Sequence, residues 1–286
     1  MIMDKTTTTL REAFLQKYPK YPKILDMFEE ANGCDAVWEN ITKPNLARFT
    51  DYMATKIARS SSRTYCSMIK SVLNLYNEEV TLPKGYESIL TVKKDVSEQT
   101  WLSDDEIRLF MGYKPKSEAE RIVKNHFILG CLTGARHSDY AYFSKENIIG
   151  SRLVYVAQKS RTRVEVPLSP AVKRVIEENE SLGLVGQTVS DVAFNDALRR
   201  ICRKMGIKTR VKLYKRGEYI TAPKYYFLSS HTARRSFATN LYLKGFDLYF
   251  ISKLMGHSST SMTERYIVCG LRKFPDEIVE YFKSFT

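Results

Sequence analysis

The stretch "SHTARRSFATNLYLKGFDLYFISKLMGHSSTSMTERYIV", residues 230–268, decides how the chain is read. Apolar positions return at helical spacing over 233–244, 247–255 and 260–267, which predicts three successive helices. Polar residues are set into them in a pattern that packing alone does not require. His231 and Arg234 stand three apart and so share one helix face. His257 follows the glycine of "LMGHSS", and Tyr266 comes nine residues later, across a turn and a new helix. The chain has only 4 histidines, and both His231 and His257 fall here.

Upstream, "ERIVKNHFILGCLT" (120–133) reads as a strongly apolar, central helix, and Arg136 sits just beyond it in "TGARHSDY". "RLVYVAQ" and "RVEVPLS" are two β-type runs around "KSRT", the pattern of a hairpin. Lys159 lies at its tip, with Arg161 as the second candidate in the same loop. Helical patterns at 170–180, 190–205 and 275–284 complete a second domain, 101–286, that is mainly α with one small antiparallel sheet. "LSDDEIRLFMGY" opens that domain, with Ser103 as cap and acids in the first turn.

Residues 1–92 read as a small helical bundle. A helix is expected over 9–31, interrupted by Pro19 and Pro22. "TKPNLARFTDYMATKIA" starts at Thr42 with Pro44 in the first turn. "SSSRTYCSMIKSVLNLYNEE" follows, and its serine run suits a cap. The polar stretch 93–100 is the expected linker.

The 286 residues carry 45 Lys plus Arg against 32 Asp plus Glu, a net charge of +13 that favours a polyanionic partner. The excess is uneven: residues 1–100 hold 14 basic and 13 acidic side chains, residues 101–286 hold 31 and 19. Five cysteines at wide spacing without a CxxC fit a reduced compartment. No signal peptide or membrane-length apolar run is present, so a cytoplasmic protein is expected.

Arginine, lysine, histidine and tyrosine in one place suit a particular reaction. When a tyrosine hydroxyl attacks a phosphodiester, negative charge builds on the equatorial oxygens, and guanidinium forks stabilise it. A lysine can protonate the departing 5′ oxygen, and a histidine can exchange a proton near neutral pH. No metal or other cofactor is needed if side chains supply the charge. His231, His257 and Cys269 lack the spacing of a zinc site.

The set resembles that of the tyrosine recombinases, the phage-integrase and Xer-like family, whose catalytic domain is shared with type IB topoisomerases. In that family an arginine, a hairpin lysine, His-x-x-Arg, Gly-His and tyrosine follow in order. Here Arg136, Lys159, His231 with Arg234, His257 and Tyr266 meet that order over about residues 100–286. The resemblance implies a two-domain architecture, with a helical core-site-binding domain ahead of the catalytic one. It implies a site-specific DNA recombinase acting through a 3′-phosphotyrosyl intermediate without metal or ATP. Strand relaxation of the topoisomerase kind, or a catalytically silent DNA-binding accessory protein, are the alternatives. The first motif departs from the usual apolar-Ser-Glu-Leu continuation and reads "RHSDY", where Asp139 keeps a carboxylate expected to brace an arginine. No additional N-terminal arm-site-binding domain is evident.

Double-stranded DNA is the expected partner. Lys56, Arg59, Arg63 and Lys70 in the first domain, Lys93 and Lys94 in the linker, and Arg161, Lys212, Lys215 and Arg216 in the second are the candidate contacts. The C-terminal segment offers Ile278, Val279, Phe282 and Phe285 at helical spacing. The resemblance implies that this tail passes to a neighbouring protomer, with a pivot near Cys269 and Gly270, closing a homotetramer on two DNA sites.

Overall fold

A computed structural model of the chain describes residues 8–94, 97–215 and 217–268. The chain divides into two compact units, Met1–Val96 and Ser97–Thr286.

The first unit is all helical: α1 (Leu10–Lys17), α2 (Lys23–Asn32), α3 (Lys43–Lys56), α4 (Arg59–Leu73) and the single turn α5 (Tyr86–Ile89). Thr9 caps α1 in a reciprocal box with Glu12. The prolines of "YPKYPK" separate α1 from α2, and Gly33 ends α2 in the left-handed region. Thr42 accepts from the Asn45 amide at the start of α3, with Pro44 in its first turn. The serine run does not cap α4. The N-cap is Ala58, without a side-chain bond, and Ser60, Ser61 and Ser62 lie inside the helix. Phe14, Phe28, Phe49, Met53, Ile69 and Val72 form the centre of this unit's core.

The second unit begins with α6 (Asp104–Met111), capped by the Ser103–Glu106 box, and continues with the central α7 (Glu118–Thr133) and the one-turn α8 (His137–Tyr140). A three-stranded antiparallel sheet follows: β1 (Ile148–Ile149), β2 (Arg152–Val156) and β3 (Arg163–Pro167), in that order. Leu153 and Val166 pair across β2 and β3 on the buried face, as do Tyr155 and Val164, so the alternation of the two runs sets the register. Then come α9 (Pro170–Ser181) and α10 (Asp191–Lys204), and a second, two-stranded ribbon of β4 (Arg210–Lys215) and β5 (Glu218–Pro223). The expectation of one small sheet is corrected to two. Leu213 and Ile220 pair on the ribbon's inner face, an alternation that the surrounding basic and aromatic residues hide in the sequence. The chain ends its described part with α11 (Ser230–Leu243), α12 (Leu248–Leu254) and α13 (Thr260–Glu264). The predicted tail helix and the Cys269–Gly270 pivot lie outside the described residues.

Two features fix where α11 sits. The Leu102 amide donates to Ser236 Oγ at 2.8 Å, and Asn240 Nδ2 donates to the Leu102 carbonyl at 3.0 Å. On its other side α11 approaches α7 at Gly130. A Cβ there would lie 2.7 Å from the Tyr140 ring and 2.8 Å from Ala233 Cβ. Gly130→Ala is therefore expected to destabilise this unit by about 1–3 kcal/mol through overpacking, read as a lowered urea midpoint.

Candidate active site

The loops at one end of α7, α11 and the β2–β3 hairpin converge. Gly134 terminates α7 in the left-handed conformation, which turns the chain so that Arg136 stands at the start of α8. Arg136, Lys159, His231, His257 and Tyr266 all line one cleft of about 880 Å³, with Gln158, Asn195 and Met262 among its other walls. Arg161 is not among the lining residues. It is exposed in the hairpin turn at a positive φ of 54°, and its amide donates to the Ala157 carbonyl.

Arg234 lies behind the cleft and is 1% exposed. Its Nη1 donates to the Gly134 carbonyl, and its Nη2 donates to the Met255 carbonyl at 3.3 Å and meets His257 Nε2 at 2.7 Å. The guanidinium carbon sits 5.1 Å from the centre of the Tyr266 ring. The ring of His257 stacks on Tyr266, 5.2 Å between centres at an interplanar angle of 30°. Burial lowers the pKa of Arg234, an effect the neighbouring Tyr266 opposes. Among the described residues no carboxylate forms an ion pair with Arg234 or Arg136. Among the described residues, Arg136 Nη1 at the cleft and Arg234 Nε behind it are buried donors without a hydrogen-bond partner. Cationic donors without acceptors make this a pocket suited to an anion.

His231 opens α11 at the cleft and is exposed as a residue. Partial burial of its ring, followed by the charges of Arg235 and Arg234, lowers its pKa. Asp139 does not brace an arginine. Its Oδ1 accepts from the Gln158 amide at 2.9 Å, so the carboxylate ties the base of the lysine hairpin to the arginine turn instead. Gly256, just before His257, has φ +63°, and a Cβ there would meet Val164 of β3 at 2.6 Å. The glycine of "LMGHSS" thus lets the His257 loop seat directly on the hairpin strand. Thr239 and Thr263, which sequence reading did not single out, hold the Tyr266 segment. Thr239 Oγ1 donates to the Tyr266 carbonyl at 3.2 Å, and the Tyr266 amide donates to the Thr263 carbonyl at 2.8 Å. Tyr266 itself lies in a turn after α13 rather than within a helix.

The candidate phosphate contacts separate. Within the first unit, Arg63, Lys70, Lys93 and Lys94 line one cleft of about 590 Å³, with Lys70 Nζ donating to Thr91 Oγ1 at 3.1 Å. Lys56 and Arg59 are exposed outside it, with Lys56 over the Tyr52 ring at 5.4 Å. On the ribbon, Lys212 is exposed and lies 4.8 Å from the Tyr219 ring centre. Lys215 is half-buried, and burial, then Arg235, lowers its pKa. Arg216 lies outside the described residues.

Residues 100–269 match the phage integrase family profile, more than half of the chain. The chain belongs to the phage integrase family. The chain is similar to tyrosine recombinase XerD of Vibrio vulnificus, 26% identical over 233 residues that cover 79% of this chain and 75% of that protein. The integrase of Escherichia phage P2 is 25% identical over 61% of this chain and 44% of its own length. The chain spans less than two thirds of the phage relatives it matches, 61% of a Pseudomonas phage Pf1 protein and 44% of the P2 integrase. In fold it is similar to a lambda integrase dimer bound to a COC′ core site, with a TM-score of 0.65 at 19% identity over 94% of this chain and 98% of that one. XerH recombinase bound to a difH substrate gives 0.62 at 16% identity, over 95% and 78%.

Two family-domain histidines are kept neutral by burial. His126 is fully enclosed, His257 is 5% exposed, and each is pushed down to about 4 from the ordinary 6.5. As pH falls from 6.5 towards 4, the unfolded chain gains protons at these positions that the folded chain refuses. The stability they contribute at neutral pH is therefore lost through that window. Urea midpoints are expected to fall between about pH 7 and about pH 5, and His126→Leu is expected to shrink that fall.

Proposed function

We propose that the chain is a site-specific DNA recombinase that cleaves and rejoins strands through Tyr266. The convergence of Arg136, Lys159, His231, His257 and Tyr266 on one cleft, backed by the buried Arg234, carries this reading. Tyr266 Oη attacks the scissile phosphorus and forms a 3′-phosphotyrosyl ester. The P–O5′ bond breaks, and Lys159 gives its proton to the departing 5′ oxygen. The tyrosine proton passes to His231. Arg136 and Arg234 stabilise the charge on the non-bridging oxygens, and His257 holds Arg234 in place. Attack by the 5′ hydroxyl of a second strand reverses the sequence. The ester conserves the bond energy, so no ATP enters, and the side-chain charges do the work a metal would otherwise supply.

Double-stranded DNA is the partner, with Arg63, Lys70, Lys93, Lys94 and Lys212 contacting phosphates. Strand exchange between two duplexes requires four cleavages and hence four protomers. One related structure is a lambda integrase tetramer on a Holliday junction, which supports the same assembly here. The recombinase and integrase names of the relatives favour exchange over strand relaxation. The site of action is the cytoplasm, on DNA. Among the described residues no helix is long and apolar enough to cross a membrane.

The reading is tested on a core duplex recovered by selection from a random pool and nicked to trap cleavage. Tyr266→Phe is expected to bind this duplex and give no covalent band on a denaturing gel. A band from the variant would remove Tyr266 as nucleophile. Lys159→Ala is expected to slow cleavage roughly 10²–10⁴-fold on ordinary DNA. A 5′-bridging phosphorothiolate, whose sulfur leaves without a proton, recovers most of that rate. Equal defects on both substrates would assign Lys159 to positioning alone.

A further inference from the structure

Thr263 is fully buried, three residues before Tyr266. Its Oγ1 lies 2.8 Å from His257 Nδ1. The other nitrogen of that ring, Nε2, lies 2.7 Å from Arg234 Nη2. A guanidinium nitrogen only donates, so Nε2 accepts, the imidazole is neutral, and its single proton is on Nδ1. That proton has Thr263 Oγ1 as its acceptor. A protonated ring, or the tautomer with hydrogen on Nε2, would aim a hydrogen at the Arg234 donor instead. Arg234, which can only donate, thus sets which nitrogen of His257 is basic, and Thr263 Oγ1 accepts the proton on the other and fixes the plane of the ring.

We propose that Thr263 is a positioning residue for DNA cleavage: by accepting the Nδ1 proton it anchors the His257 ring so that Nε2 holds the Arg234 guanidinium against the Tyr266 ring. The consequence for the reaction rests on the recombinase reading above, whereas the tautomer does not. Thr263 sits on the same short segment as the nucleophile, and the Tyr266 amide is bonded to its carbonyl. When this segment is seated, the same residue places Tyr266 and orients the arginine it reacts beside. A segment displaced from this position carries Thr263 away from His257 and takes the Tyr266 ring off the arginine, which then keeps only the Gly134 and Met255 carbonyls and an unanchored imidazole. Seating of the tyrosine and readiness of the arginine are thereby coupled through one hydroxyl.

The test uses the full chain, labelled with ¹⁵N histidine. The chain has 4 histidines, and the His257 signals are assigned from their loss in His257→Asn. Long-range ¹H–¹⁵N spectra are expected to show the Nδ1–H tautomer in the wild type and in Thr263→Ser. Thr263→Val, which keeps the shape and removes the acceptor, is expected to keep the proton on Nδ1 opposite the Arg234 donor and to shift the Nδ1–H signal away from its hydrogen-bonded position. Single-turnover cleavage of the nicked core duplex is expected to slow on the order of 10²-fold in Thr263→Val, with duplex affinity unchanged. Thr263→Ser is expected to restore the rate to within a few-fold of wild type. An Nε2–H ring in the wild type overturns the proposal, as does a valine variant with unaltered Nδ1–H signal and rate, or a serine variant as slow as valine. If wild type forms no covalent adduct, the recombinase reading fails, and the spectra still decide whether Thr263 anchors the His257 ring.

Discussion

A guanidinium cation buried, among the described residues, without a carboxylate partner is the constraint on which the second unit depends. Arg234 is 1% exposed and is held by the Gly134 and Met255 carbonyls, the His257 imidazole and the face of the Tyr266 ring. Placing an uncompensated charge in an interior costs several kcal/mol, roughly, even after relaxation. Dipoles and a ring face offset part of that cost, and on the proposed reading an arriving phosphate offsets the rest. A carboxylate partner would have stabilised the free chain and competed with any anion entering the cleft. The four groups that hold the arginine come from three separate segments, so its position draws the end of α7, the loop after α12 and the tyrosine turn to one point.

The scaffold supplies that convergence through close backbone approach. Gly130 lets α7 and α11 touch, and Gly256 lets the His257 loop rest on Val164 of β3. Asp139 joins the arginine turn to the lysine hairpin through the Gln158 amide. The arginine, lysine and histidine motifs are therefore mechanically linked, each to its neighbour, before any DNA is present. Preorganisation of this kind lets fixed charges act on a transition state without reorganising as it forms.

Much of this was legible in the sequence because strong local signals carried it. Thr42 with Pro44, and Ser103 with Glu106, mark helix starts that the structure shows as caps. The alternation in "RLVYV" and "RVEVP" sets the hairpin. The ribbon of β4 and β5 was missed because its alternating apolar residues are few and its charges many. The serine run before "RTYC" was misleading, since a cap depends on where the backbone leaves the helical region and Ala58 does that. The brace assigned to Asp139 failed because pairing depends on tertiary distance, which residue type does not report. Thr263 carried one faint sign, a position about one helical turn before Tyr266. Its role emerges only once His257 and Arg234 are within bonding distance of each other. The order of the motifs named the residues of the cleft, whereas the neutral state and tautomer of His257 needed coordinates.

Orthovanadate adopts the five-coordinate geometry of a phosphodiester under attack, so it reports directly on whether the buried arginine serves that state. The most direct measurement is a crystal structure of the chain with orthovanadate and a core duplex lacking the scissile phosphate. The expected result is vanadium bonded to Tyr266 Oη, with its equatorial oxygens accepting from Arg136 and Arg234. Vanadium bonded to a different side chain, or held in the cleft without either arginine, would contradict the account.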